Sequence, residues 1–240
     1  MAFILNIETS TSICSAALAK DGKVISSKES HGAKTHASHL TTFIEEVISN
    51  SGISFEDLDG VAVSKGPGSY TGLRIGVSTA KGIAYALEIP IISICTLLTM
   101  VKGLYEEMPD IFNNRDYLFC PMLDARRMEV YLALYNHEMN NEPEVKAEIL
   151  NEKSFLQILK NQRIVFFGNG VIKCRNLIRH ENAIFIEQFN PLARYMAGIS
   201  YSYFLNKNFV NMAYFEPFYL KDFIATTPKN LLKDLPGKAK

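Results

Sequence analysis

Two stretches carry residue types that suit a phosphate group. Glu8-Thr9-Ser10-Thr11 is a polar turn set between apolar runs, and Lys65-Gly66-Pro67-Gly68-Ser69 is a glycine-rich turn that opens a helical pattern. Hydroxyls and backbone N–H groups in tight turns form anion-binding concavities. A helix N-terminus adds a partial positive charge. Glu8, Thr9, Ser10, Gly66, Pro67, Gly68 and Ser69 are therefore the candidate nucleotide-binding residues. The turn is not a P-loop, because no lysine directly follows Gly72 and Lys65 precedes the glycines. A glycine turn before a helix is equally a structural turn, so the set can be degenerate and empty.

Other clusters give less. His31, His36 and His39 lack an evident third ligand and read as solvated residues near a helix start, so no metal site is assigned. Asp124-Ala125-Arg126-Arg127 with Glu129 reads as a salt-linked turn, or as an acid beside a basic clamp. No G-x-S-x-G elbow or nucleophile–base pair is present, and no catalytic residue is assigned. The four cysteines have no CxxC spacing and read as buried thiols of a reducing compartment. Twenty-five basic residues balance twenty-five acidic ones, unlike a free-standing nucleic-acid binder. The N-terminal apolar run lacks a basic flank and reads as a strand, and no run approaches the roughly 18 apolar residues of a membrane span.

These turns need elements to hold them. Ala2 to Ile7, Ile13 to Ala19, Val24 to Lys28, Gly60 to Ser64 and Ile89 to Ile94 read as strands. Thr35 to Asn50 repeats apolar residues at helical spacing through Leu40, Phe43, Ile44, Val47 and Ile48. Gly72 to Glu88 is a second helix. Its polar sector holds only Arg74, Ser78, Lys81, Tyr85 and Glu88, so the apolar face exceeds the stripe that one sheet requires. Gly72 and Gly76 lie on one line of that face and call for a close neighbour. The neighbour is either within the chain, the Thr35 to Asn50 helix being one candidate, or a second subunit.

About 116 positions later the pattern recurs: Tyr117 to Leu123 and Glu129 to Tyr135 as strands around the Asp124 turn, then Arg163 to Phe167 leading into Gly168-Asn169-Gly170. Pro191 to Asn206 reads as a late helix. The fold expected is α/β, of the two-lobed actin-like ATPase architecture with duplicated mixed-sheet βββαβα units. Its lobes would span residues 1–102 and 103–220, with the late helix able to pack back on the first lobe and a tail at 221–240.

Five segments, Asn6 to Leu18, Ser64 to Ala84, Ile94 to Met100, Met122 to Tyr135 and Glu216 to Asp222, resemble the TsaB family. These are bacterial tRNA threonylcarbamoyladenosine biosynthesis proteins of the actin-like superfamily. The resemblance implies a non-catalytic subunit that stabilises and activates a TsaD-type subunit, which modifies N6 of adenosine 37 in tRNAs reading codons that begin with A. It further implies a TsaE-type ATPase in the complex, a homodimer when alone, tRNA contact only through the complex, and a cytoplasmic location. ATP and metal are then expected on partner subunits, with no cofactor intrinsic to this chain. The relative's metal-binding histidine pair falls here at Thr96 and Met100, whose side chains cannot replace imidazoles. The resemblance also implies a helical bundle with the partner, for which the candidates are His36, His39, Leu40, Phe43, Gly72, Leu73, Gly76, Ala80 and Ile83. The remaining alternatives are an ATP-binding phosphotransferase or ATPase of the same superfamily, and a peptidase.

Overall fold

The computed structural model describes residues 1–31, 36–139 and 143–220. Strands β1 (Phe3–Glu8), β2 (Ile13–Lys20) and β3 (Lys23–His31) form an antiparallel meander. β4 (Gly60–Gly66) and β5 (Ile91–Cys95) extend it in parallel beyond β1, giving the order β3-β2-β1-β4-β5. The second sheet joins β6 (Tyr117–Asp124), β7 (Glu129–Leu132), β8 (Lys146–Ile149), β9 (Arg163–Phe167) and β10 (Ala183–Ile186) in the order β8-β7-β6-β9-β10. Strand for strand this repeats the first, antiparallel on one side of β6 and parallel on the other. Gly66, which ends β4, and Gly168, which follows β9, both adopt φ +112°, a region that L side chains rarely enter.

Side chains alternate across the pleat and fill separate cores. Leu5, Ile7, Leu18, Val61 and Val63 face helices α1 (His36–Ser49) and α2 (Tyr70–Leu87). Ile4, Ala62, Ile92 and Ile94 face the opposite way, onto α3 (Thr96–Glu107). α3 lies between the sheets, for the same core includes Phe119, Leu123, Val165 and Phe167 of the second one. Cys120, Met122, Val130, Ile164 and Phe166 point outward, onto short α4 (Leu156–Leu159) and α5 (Val171–Arg175).

After β10 the chain returns to the first sheet. A 3-10 turn, Ala193–Met196, leads into α6 (Ala197–Leu205). The Ala193 N–H donates to the buried Ser15 hydroxyl of β2 at 2.9 Å. Arg194 reaches Glu29 of β3 at 3.3 Å and Glu107 of α3 at 2.9 Å. A final strap runs along the β5 edge, where Val210 bridges Ile91.

The late helix read over Pro191 to Asn206 thus divides into a 3-10 turn and an α-helix. β5 starts only at Ile91, since Pro90 has no N–H to give the ladder, although its carbonyl accepts the Val61 N–H at 3.0 Å. β7 stops at Leu132, although Tyr135 still pairs with Phe119 through an isolated bridge. The expected tail 221–240, Asp222 and the first residue of the Thr35 helix lie outside the described residues. Among the described residues no helix is long and apolar enough to cross a membrane.

Candidate functional site

The two candidate turns meet at the carboxyl ends of β1 and β4. The Ser69 N–H donates to the Ser10 carbonyl at 2.6 Å. Ser69 also caps α2, its hydroxyl accepting the Gly72 N–H at 3.2 Å. Thr9 Oγ1 donates to the Gly72 carbonyl at 2.8 Å. A Cβ built on Gly68 would lie within 3.0 Å of the Ser10 carbonyl oxygen, and one on Gly72 within 3.0 Å of the Thr9 carbonyl oxygen. On Gly76 it would meet Thr9 Oγ1 equally closely. The first hairpin therefore sits directly on the first turns of α2, with glycine wherever a side chain would obstruct it.

This identifies the neighbour that Gly72 and Gly76 call for. It lies within the chain, as the Thr9 turn rather than the Thr35 to Asn50 helix. The phosphate-turn shape is present, yet Ser69 N–H and Gly72 N–H are already committed to Ser10 and Ser69. A phosphate drawing on those two donors would have to displace backbone from backbone.

Glu8 lies beneath the contact, fully buried. Its Oε1 accepts the Ser10 N–H at 2.6 Å and the Ser64 hydroxyl at 3.0 Å. Burial raises its carboxyl above the usual range, and the bonds from Ser10 and Ser64 oppose that rise. Burial, with a contribution from Glu8, pushes the Cys14 thiol up to about 11.

The partner-facing residues expected on the helices need correction. Leu40, Phe43 and Ala80 are buried against the chain's own sheet, because α1 and α2 share that face, and Leu73 is buried beside Gly66 at the end of β4. Ile83 is half-buried against the same core. Gly72 and Gly76 are covered by Thr9. Of the set only His39 is exposed, and its ring lies 5.7 Å from that of Phe43, while His36 is half-buried. The outward residues of α2 are instead Thr71, Arg74, Ser78, Gly82, Tyr85 and Ala86.

The flank of α2 carries a further cover that periodicity did not indicate. The Phe218 N–H donates to the Lys65 carbonyl at 2.7 Å, pinning the strap to the glycine turn. Tyr219 packs on Tyr70 with ring centroids 4.7 Å apart, and Arg74 Nε donates to its hydroxyl at 3.3 Å. Part of the wide apolar face of α2 is thus satisfied by Phe215 and Met212 of this strap. The segment had no signal beyond its place in the resemblance.

In the second sheet the equivalent turn is salt-linked. Lys173 Nζ lies 2.5 Å from Asp124 Oδ1, and Asn169 Oδ1 accepts the Asp124 N–H at 2.9 Å. Thr96 and Met100 are fully buried in the core between the sheets. Among the described residues no three His, Cys, Asp or Glu side chains gather into a metal set.

The duplicated strand order, with a hairpin turn at the head of each half, defines the class: a two-lobed α/β protein of the actin-like ATPase architecture. The family model for TsaD, tRNA N6-adenosine threonylcarbamoyltransferase, matches residues 23–229. The tRNA threonylcarbamoyladenosine biosynthesis protein TsaB of Escherichia coli K12 is 31% identical, with 98% of this chain and 99% of that protein covered. The Bacillus subtilis 168 protein of the same name is 32% identical over 73% of this chain and 74% of its own length. Among solved structures, an uncharacterized Pseudomonas aeruginosa protein with similarity to peptidase YEAZ superposes with a TM-score of 0.80 at 22% identity, covering 92% of this chain and 100% of that one. The chain belongs to the TsaB family.

Proposed function

We propose that this chain is a non-catalytic subunit of the machinery that installs N6-threonylcarbamoyladenosine at position 37 of tRNAs reading codons that begin with A. In this reading it stabilises and activates a TsaD-type catalytic subunit. The observation that supports it is the contact between the Ser10 and Ser69 turns, in which the Ser69 N–H is taken by the Ser10 carbonyl where an actin-like ATPase would offer its donors to phosphate. Thr96 and Met100 support it from the metal side, since both are core residues on a helix packed by two sheets.

The reading assigns the chemistry, with its ATP and metal, to partner subunits. The TsaD-type subunit docks against the solvent faces of α1 and α2, and a TsaE-type ATPase joins the assembly. tRNA is met within that complex, the free protein pairs with itself, and the location is the cytoplasm. Residues 1–102 and 103–220 serve as the two lobes, with the segment after β10 returned to the first.

Calorimetry with Mg-ATP on the purified chain tests the closed site. Micromolar binding that is lost in Gly68→Ala would revive an ATPase reading. Binding of the TsaD-type subunit, weakened by Tyr85→Arg on the exposed side of α2, is the expected positive result. Unaltered binding by that variant would remove α2 from the proposed interface.

A further inference from the structure

The turn at the head of the second sheet is unlike its counterpart in the first. The Glu8 turn is buried and locked to α2, whereas Arg126 and Arg127 are exposed at the tip of their hairpin. Both are in the left-handed region, Arg126 at φ +68° and Arg127 at φ +49°. Two consecutive non-glycine residues there each hold Cβ against a carbonyl oxygen, a conformation that glycine or asparagine adopts with less strain. The sequence keeps arginine at both positions.

The platform beneath them is fixed. Asp124 Oδ1 accepts the Arg126 N–H at 2.6 Å, and the Glu129 N–H donates to the Arg126 carbonyl at 3.2 Å. Lys173 rises from α5 to bind both Asp124 and the Glu129 carbonyl, the latter at 2.8 Å. Asn169 holds the Asp124 N–H from the adjoining turn. The Asp124 carboxylate is thereby occupied by an ammonium and a backbone N–H, so it does not draw the arginine side chains inward. The result is a pinned hairpin that sends two neighbouring guanidinium groups into solvent from a chain of zero formal net charge.

Guanidinium forks match phosphate oxygens, and a rigid mount lowers the ordering loss on contact. We infer that the Arg126-Arg127 turn is a contact for the RNA phosphate backbone, engaging the tRNA while the first lobe holds the protein partner. This inference rests on the function proposed above.

The test measures binding of an unmodified tRNA transcript to the reconstituted complex across a salt series. The complex carries either the wild-type chain, the Arg126→Asn/Arg127→Gly double variant or the Arg126→Lys/Arg127→Lys double variant. The first variant relieves the left-handed strain, so it folds and should melt no lower than wild type. Each lost phosphate contact lowers the slope of log affinity against log salt by about 0.7 to 0.9. The Asn/Gly variant should therefore lose about 1.4 to 1.8 from the slope, and the Lys/Lys variant should keep it. Equal slopes in all three complexes would overturn the inference. So would an Asn/Gly variant that no longer binds the TsaD-type subunit, since the turn would then be a protein contact. A parallel modification assay without this chain separates the two claims: equal slopes with modification still dependent on the chain defeat only the RNA contact, whereas modification independent of the chain defeats the function itself.

Discussion

Substituting Gly76 by alanine should report on the seat between the first hairpin and α2. A Cβ there would come within 3.0 Å of Thr9 Oγ1, with Thr9 Cβ at 3.4 Å and Cγ2 at 3.5 Å. Forcing a methyl group into packed structure costs about 1–3 kcal/mol. Alanine gains ~0.8–1.0 kcal/mol over glycine in a helix interior, so Gly76→Ala should destabilise by up to ~2 kcal/mol. Thr9→Ala alone should cost about 1 kcal/mol, the usual net contribution of a hydrogen bond, here the one to the Gly72 carbonyl. Combined, the changes should not add. Once Thr9 Oγ1 and Cγ2 are gone, the closest remaining atom is Thr9 Cβ, an ordinary contact, and Gly76→Ala becomes stabilising by ~1 kcal/mol. Urea denaturation of the four proteins gives a coupling energy of about 1–3 kcal/mol with that change of sign. Gly82→Ala is the control, because nothing lies within 4 Å of its Cβ position, and it should stabilise by ~0.5–1 kcal/mol. Additive effects of Thr9→Ala and Gly76→Ala would refute the seat.

Glu8→Gln should be more stable than wild type at neutral pH. The folded-state pKa of Glu8 is raised, so its protonation favours the native state. That contribution is fully present below about pH 4.5 and is lost as pH rises through the higher folded value. Melting temperatures of the two proteins should converge in acid and diverge toward neutrality, and parallel curves would contradict the assignment. Gly103→Ala should destabilise by about 1–3 kcal/mol, because its Cβ would strike the Tyr195 ring, and thermal melts would register the loss. Burial raises the Cys14 thiol to about 11 and Cys174 to about 12, so a thiolate-selective reagent at neutral pH should label neither until the chain unfolds.

What was legible in the sequence followed from single-element physics. β1, β2, β4 and β9 are nearly continuous apolar runs because both faces of each are covered. α1 announces itself through Leu40, Phe43, Ile44, Val47 and Ile48, since one face meets a sheet and the other meets water. α3 gives no such stripe: Thr96 to Val101 are all buried, which erases the polar sector that marks a surface helix. β10 is four half-buried residues, too short to show a period. The same limit governed the candidate site. The helical wheel of α2 revealed that something approaches Gly72 and Gly76, but a wheel describes one helix. The approaching group, Thr9, lies on a hairpin far upstream, and only the pairing of β1 with β4 brings the two together. The strap from Phe215 to Tyr219 covers α2 through an irregular backbone, for which no periodic signal exists.

The central claim is that the chain is required for tRNA modification without performing its chemistry. A reconstituted threonylcarbamoyl transfer assay on unmodified tRNA addresses it directly, with the TsaC-like, TsaD-like and TsaE-like proteins, ATP, threonine and bicarbonate, and with this chain present or omitted. Modification is expected only when the chain is present, with neither ATP hydrolysis nor modification by the chain alone. Equal modification in its absence, or Mg-ATP turnover by the purified chain, would contradict it.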